Sequence, residues 1–216
     1  MNTDELIAAL AADVTPVRPL ASPVRRFGRW MLMALPLVSV GILAFGLRED
    51  LSVAVVDPRF AAMGAVAAVT GLGAAAAALI LAVPGADRSP VTRWLPVALL
   101  AGWGAVMLWL LAQDGFAMTG ALAWPWSICI AKVAILAAPP AYALFVMVRR
   151  AAPLRLSWAA GLAGLAGLSV GALGVQFVCP NWHAGHMLLT HYAPVVVLGA
   201  ITALVGWRWL EWAPRD

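Results

Sequence analysis

Six apolar runs, each long enough to cross a lipid bilayer, constrain this chain more than any other feature of its sequence. A helix needs about 17–25 residues to cross roughly 30 Å of hydrocarbon, where its backbone groups must pair with one another. The sequence therefore predicts an all-α polytopic membrane protein, a bundle of six transmembrane helices within residues 30–212. The predicted spans cover residues 31–47, 60–83, 95–112, 126–148, 159–178 and 194–210, and a tail follows at 213–216.

The composition excludes the usual soluble classes. Of the 216 residues, 63% are hydrophobic and 11% are charged, whereas soluble domains have about 45–50% apolar and about 25% charged residues. A soluble helical bundle, a disordered chain and a disulfide-stapled secreted module are thus ruled out. The net charge of +4 comes from arginines beside apolar runs rather than from a basic patch. We therefore predict a lipid bilayer as surroundings and no direct binding of nucleic acid.

The distribution of arginines predicts the orientation. The N-terminal segment, the second and fourth connections and the C-terminus carry all of them except Arg48 and Arg59. Because cytoplasmic segments are enriched in Arg and Lys, both termini are placed in the cytoplasm, at the inner membrane of a bacterium. The segments that then face outward are 48–59, 113–125 and 179–193.

Small and aromatic residues indicate how the spans are placed. Gly167 and Gly171 form a GxxxG pair in span five, a pattern that brings helices into close contact. Their partner helix belongs either to the same chain or to a second copy, so a homodimer stays open. Tryptophans near span ends, such as Trp30, Trp94 and Trp158, predict an interfacial belt.

The two cysteines lie on the predicted outward side, Cys129 near the start of span four and Cys179 at the end of span five. Three histidines follow Cys179 in the same connection, His183, His186 and His191. All five residues are candidate ligands for a soft or borderline divalent metal, bound transiently, and no resident cofactor is expected. Three alternatives stay open: a disulfide, a shared metal site, or buried cysteines that never meet beside histidines that only suit an interfacial loop.

Charged groups within the spans are scarce. Lys132 lies one helical turn from Cys129, where it either extends to the outer surface or favours the thiolate form of Cys129. We find no Asp, Glu, Arg or His deep within a predicted span. Proton-coupled transport and transmembrane electron transfer are therefore disfavoured, because both depend on such residues.

A short amphipathic helix is predicted before the first span, over residues 3–13. Thr3 is the expected N-cap, and acidic residues in the first turn suit the helix dipole. Prolines at 16, 19 and 23 then predict an extended tether. The helix is either a frayed tail or a segment that folds onto a cytosolic protein. Its polar and apolar candidates for contact with that protein are Asp4, Glu5, Leu6, Ile7 and Leu10.

Taken together, these features resemble the NrsF-type transmembrane anti-sigma factors. The resemblance rests on residues 3–13, the Pro-Val-Arg-Arg stretch at 23–26, six spans, and one cysteine at each of positions 129 and 179, the second followed by Pro180 and the histidines. It implies a regulator rather than an enzyme, whose cytoplasmic segment 1–29 binds an extracytoplasmic-function (ECF) sigma factor. It further implies that Cys129 and Cys179 sense an oxidant or a heavy metal.

A second reading belongs to a different class: a membrane enzyme or metal-handling protein that uses the outer Cys/His residues. The acidic amphipathic helix argues against it. An enzyme with its site on the outer side has no need for such a helix on the opposite side of the membrane.

The orientation predicts where exported alkaline phosphatase becomes active. Fusions placed after Gly115 and after Ala184 should be active, because both positions follow an odd number of predicted spans. A fusion after Ala152 should be inactive. Phosphatase activity on whole cells measures this, and activity of the Ala152 fusion would reverse the assigned orientation.

Overall fold

The computed structural model describes residues 2–12, 19–83, 85, 89–118 and 126–211, and every regular element in these residues is helical. The tail 213–216 and residues 13–18 of the predicted tether lie outside the described residues. The helices are α1 (Thr3–Ala12), α2 (Pro23–Phe45), α3 (Leu51–Ala54), α4 (Pro58–Leu81), α5 (Pro90–Gln113), α6 (Trp126–Arg149), α7 (Leu156–Gln176), α8 (Ala184–Met187), a π-helical turn (Leu188–Tyr192), α9 (Ala193–Val205) and α10 (Trp207–Leu210).

Six helices in the described part of the chain are long and apolar enough to cross a membrane. Five of them are α2, α4, α5, α6 and α7, and the sixth runs continuously over Ala184–Val205. The prediction of an all-α bundle with six membrane-spanning helices is confirmed.

Five of the six spanning helices begin earlier than their apolar runs, and capping residues start three of them. Ser22, Asp57 and Ser89 each accept a hydrogen bond from a backbone N–H of the following turn, and each precedes a proline at the first helical position. Such caps satisfy backbone donors that a new helix leaves unpaired. The predicted N-terminal segment 1–29 therefore overlaps α2, which begins at Pro23.

The sixth span differs most from its prediction. The apolar run suggested residues 194–210, yet the helix begins at Ala184 and ends at Val205. Residues 184–193, expected in an outward connection, are helical because their polar side chains turn inward: His186, Thr190 and His191 are all buried. The hydroxyl of Thr190 donates to the carbonyl of His186 over 2.8 Å. Hydropathy alone assigns these residues to a loop since it cannot show which way they face.

Helix α7 lies at the centre of the bundle. In its membrane-spanning part 78% of the residues are buried, the largest share among the six spans of the described chain. A β-carbon on Gly171 would lie 2.6 Å from the carbonyl oxygen of Val133, and one on Gly167 would lie 2.4 Å from the β-carbon of Ala141. The GxxxG pair therefore packs against α6 of the same chain. Of the two alternatives, the intramolecular contact is the one observed.

The connections predicted to face outward meet at one end of the bundle. Arg59 at the start of α4 pairs with Asp114 after α5 over 2.7 Å, and the backbone N–H of Arg48 donates to the carbonyl of Phe177 over 3.1 Å. At the other end, the rings of Trp94 and Trp158 lie 5.2 Å apart. Successive connections thus lie at opposite ends of the bundle, as six antiparallel spans require.

Trp30 corrects the interfacial prediction. Its side chain is fully buried, and its indole N–H donates to the carbonyl of Pro140 over 2.9 Å. The apolar run begins at residue 31 and placed Trp30 at the membrane surface. Because α2 begins at Pro23, Trp30 lies two turns inside the helix and faces α6.

The close approach of α6 and α7 predicts a strong position dependence of Gly→Ala substitutions. Gly171→Ala should destabilise the bundle by about 1–3 kcal/mol, because its new methyl group would overlap backbone atoms of α6. Gly199→Ala is the matched control, since a β-carbon there meets nothing within 4 Å. Thermal unfolding of the full chain in lipid nanodiscs measures both. A Gly171→Ala variant as stable as the Gly199→Ala variant would contradict this packing.

Candidate functional site

The two cysteines meet where α6 begins and α7 ends. Cys129 lies in the first turn of α6, and Cys179 follows the end of α7, where its backbone N–H donates to the carbonyl of Val175 over 2.8 Å. Both are buried free thiols, and their sulfur atoms are 3.4 Å apart. Of the alternatives left open by the sequence, the one in which the cysteines never meet is wrong.

Two histidines complete a buried cluster around these thiols. The sulfur of Cys179 lies 3.4 Å from Nε2 of His186, and the rings of His186 and His191 lie 6.0 Å apart. One ligand atom from each of Cys129, Cys179, His186 and His191 lies within 4.8 Å of every other. We call these four residues the thiol–imidazole cluster.

The π-helical turn Leu188–Tyr192 explains how both histidines reach the cluster. Their spacing of five residues places two side chains on different faces of a regular α-helix, since five residues turn it by about 500°. A π turn widens the helix locally and brings residues five apart closer to one face. His191 lies within this turn, and His186 lies two residues before its start, in α8.

Neither ring nitrogen of His191 has a hydrogen-bond partner within the described residues, although both are buried. Buried polar atoms are nearly always paired. An imidazole that faces two thiols without such a partner is in a suitable position to act as a ligand, because a neutral ring nitrogen can donate its lone pair to a metal.

The remaining predicted residues of this region lie outside the cluster. His183 is exposed and precedes α8, so the structure does not bring it together with the other four proposed ligands. The ammonium group of Lys132 lies 5.3 Å from the ring centroid of Phe45, a cation–π contact with the end of α2. Its predicted influence on Cys129 stays a prediction.

The cluster has the chemistry of a reduced dithiol. A disulfide requires a sulfur–sulfur distance of about 2.05 Å, so a small inward shift from 3.4 Å closes the bond. A tetrahedral zinc-like ion holds sulfur and nitrogen ligands about 3.3–3.8 Å apart, given metal–ligand distances of about 2.0–2.3 Å. Both oxidation and soft-metal binding are therefore open to these four side chains.

Cys179 is the more acidic of the two thiols by its surroundings. The hydrogen bond from the Cys129 thiol lowers the pKa of Cys179, while burial opposes that change. The imidazoles of His186 and His191 act in the same direction as Cys129. The thiolate is the nucleophile and the metal ligand, and these contacts favour that form at Cys179.

The N-terminal helix α1 provides a second candidate site at the other end of the sequence. Its cap lies one residue earlier than predicted, because Asn2, not Thr3, caps it. The Asn2 side chain accepts from the backbone N–H of Glu5 over 2.8 Å, and the Glu5 carboxylate accepts from the backbone N–H of Asn2 over 3.0 Å. This reciprocal capping box allows a short helix to form without support from the bundle.

No residue of α1 is buried. The predicted apolar contact residues lie open to the surroundings: Leu6 is 43% exposed, Ile7 59% and Leu10 63%. The acidic candidates Asp4 and Glu5 lie in the first turn. The helix thus presents an apolar stripe without a covering surface in the described chain.

Comparison with known proteins places the chain among membrane regulators. A family profile described as NrsF, negative regulator of sigma F, matches residues 10–212. The chain is also similar to the probable anti-sigma-F factor NrsF of Azospira oryzae, with 26% identity over 220 residues that cover 98% of this chain and 100% of the relative. No solved structure matches it.

Proposed function

Since the chain belongs to the NrsF family of negative regulators of a sigma factor, we propose that it is an anti-sigma factor of the bacterial inner membrane that sequesters an ECF sigma factor. Its α1 helix binds the sigma factor in the cytoplasm. Its thiol–imidazole cluster, on the outward side, receives the signal that ends this binding. The two sites lie on opposite sides of the membrane, as signalling across the envelope requires.

The observation that carries this proposal is the exposed apolar stripe of α1. An isolated helix of ten residues is marginal in water, and three exposed large apolar side chains add a cost that a binding partner removes. Amphipathic helices bind protein grooves through anchors spaced three to four residues apart. Leu6 and Leu10 have this spacing, and Ile7 widens the stripe.

The orientation of the bundle supports a cytoplasmic α1. The arginine-rich connections lie at the end of the bundle opposite the cluster. One of them, between α6 and α7, contains Arg149, Arg150 and Arg155. The even number of spans brings the N-terminus and the C-terminus to this same side. Both termini are then cytoplasmic, and the cluster faces the oxidising envelope.

The signal in this proposal is an oxidant or a heavy metal. With a peroxide, the Cys179 thiolate attacks an oxygen atom, and the O–O bond breaks to leave a sulfenic acid and water. Cys129 then displaces a second water and forms the disulfide, so two thiols are oxidised as one peroxide is reduced. With a metal, the two thiolates and the neutral imidazoles of His186 and His191 supply four ligands, and the thiol protons are released.

The size of the neighbouring cavity favours a sensor over an enzyme. The cluster residues are all buried, and the cavity that His191 lines beside them has a volume of about 10 Å³. A substrate-binding pocket usually needs about 300 Å³ or more. This space is too small for an organic substrate.

The α1 contact predicts a constitutive phenotype. Leu6→Asp combined with Ile7→Asp should weaken sigma binding at least about tenfold, because buried anchors of an interface often contribute over 1 kcal/mol each. Transcription of sigma-dependent promoters should then rise without a signal. A promoter reporter measures the rise, and immunoblots of the membrane fraction verify that the protein is present.

A matched control separates the apolar stripe from the helix itself. Ala8→Asp combined with Ala12→Asp places two charges on the opposite face of α1, and repression should persist. Equal repression by the Leu6/Ile7 variant and this control would refute α1 as the sigma-binding element.

The cluster predicts which side chains respond to which signal. Cys129→Ser and Cys179→Ser should each abolish most of the induction by oxidant and by a soft metal such as cadmium, and the double variant should equal the single ones. His186→Ala and His191→Ala should reduce induction by the metal alone.

His183→Ala is the matched control for the histidines, because His183 is exposed and lies outside the cluster. It should retain both responses. Full induction in the double cysteine variant would show that the thiols do not sense the signal, without bearing on α1.

A further inference from the structure

The most unusual buried charge in the described chain is Arg48, which lies beside the thiol–imidazole cluster. Its side chain is 0% exposed. The guanidinium donates from Nε and Nη2 to the Asp50 carboxylate over 2.6 and 2.7 Å, and Nη2 also donates to the carbonyl of Pro180 over 3.1 Å. A buried arginine is retained only where such pairing offsets its loss of water.

These contacts fix the segment that carries Cys179. Pro180 is the residue directly after Cys179, and the backbone N–H of Arg48 holds the carbonyl of Phe177, two residues before it. The guanidinium also lies 5.8 Å from the ring centroid of Trp182 and 5.7 Å from that of Phe60. Arg48 therefore contacts the Cys179 segment on both sides of the thiol and joins it to the start of α4.

The sequence position of Arg48 also connects the Cys179 segment to helix α2. It follows the C-terminal end of α2, three residues after Phe45. Helix α2 is the least buried of the six spans in the described chain, with 17% of its membrane-spanning part buried, and Trp30 joins it to α6 through the carbonyl of Pro140. Its N-terminal end leads back to the segment that carries α1.

We propose that Arg48 is the positioning residue of the sensor: it holds the Cys179 segment so that the two thiols stay in reach, and it joins this segment to α2. The assignment of the cluster as a sensor rests on the proposed function, whereas the positioning of Cys179 does not. Movement of Cys179 toward Cys129, or onto a metal, pulls on the Pro180 carbonyl and hence on the end of α2. The side chain thus acts through Cys179 and touches neither oxidant nor metal.

The test is the rate of disulfide closure in the full-length protein in lipid nanodiscs. Diamide accepts two electrons and two protons from the thiols, so two S–H bonds break, one S–S bond forms, and the azo group becomes a hydrazine. Arg48→Gln should slow closure by about tenfold or more, because displacement of a reacting group by about 1 Å has effects of that size or greater. Loss of maleimide labelling at Cys129 and Cys179 measures the rate.

Arg59→Gln is the matched control. Arg59 lies at the same end of the bundle and pairs with Asp114 over 2.7 Å, but its side chain is 46% exposed and the ion pair joins α4 to α5. Closure should keep its wild-type rate in this variant. Arg48→Lys should restore only part of the rate, because an ammonium group cannot hold Asp50 and Pro180 in one planar fork.

Thermal unfolding separates positioning from folding. Should Arg48→Gln fail to fold, Asp50→Asn removes the carboxylate charge and one of the two acceptor oxygens that fix the guanidinium and leaves the arginine in place, and closure should again slow. A wild-type closure rate in folded Arg48→Gln or in Asp50→Asn overturns the proposal. If closure is slow in Arg48→Gln while the Leu6→Asp/Ile7→Asp variant still represses transcription, the positioning role of Arg48 stands. The proposed function is then the part that fails.

Discussion

The direct backbone contact between α6 and α7 is the constraint on which the rest of the structure depends. Glycines 167 and 171 let the two helices approach until a single methyl group would overlap their backbone atoms. In a bilayer this packing replaces the hydrophobic effect as the force between helices, because lipid tails solvate apolar side chains as well as other helices do. The contact fixes the start of α6 beside the end of α7, and those two ends carry Cys129 and Cys179.

The cluster adds the sixth span to this pair. His186 and His191 are oriented toward the thiols by α8 and the π-helical turn, so a metal bound by all four side chains would link three spans at once, whereas a Cys129–Cys179 disulfide would link α6 to the end of α7. Close-packed interfaces change between discrete arrangements rather than deform smoothly. A small contraction at the cluster can therefore move a loosely held neighbour, and α2 is the span with the fewest buried residues in the described chain.

Much of this architecture follows from the sequence alone. Apolar run length predicts six spans, and residues 167 and 171 predict a close helix contact, because both depend on properties local to one helix. The partner of that contact, the burial of Trp30 and the inward face of His186 and His191 depend on neighbouring helices, so the hydropathy of a single run cannot show them. Arg48 illustrates the same limit: beside an apolar run it has the pattern of an orienting charge, and only its contacts with Asp50 and Pro180 distinguish it.

The candidate sites likewise combine features that the local sequence predicts with features that depend on the surrounding structure. The α1 stripe was predicted with its residues, since capping and helical spacing are local, although Asn2 rather than Thr3 forms the cap. Four of the five candidate ligands lie together and His183 lies apart, because His183 and His186 share a helix face only if the helix begins before His183. The structure begins α8 at Ala184 and leaves His183 exposed.

In the proposed function, the redox or metal state of the cluster controls the affinity of α1 for a sigma factor on the other side of the membrane. Its most direct test is the Kd between the full-length protein in nanodiscs and the sigma factor that it is proposed to bind, measured with the thiols reduced and again after closure of the Cys129–Cys179 disulfide. We expect tight binding in the reduced state and a Kd at least about tenfold higher after closure, a coupling of about 1.4 kcal/mol. Equal affinity in both states would contradict it.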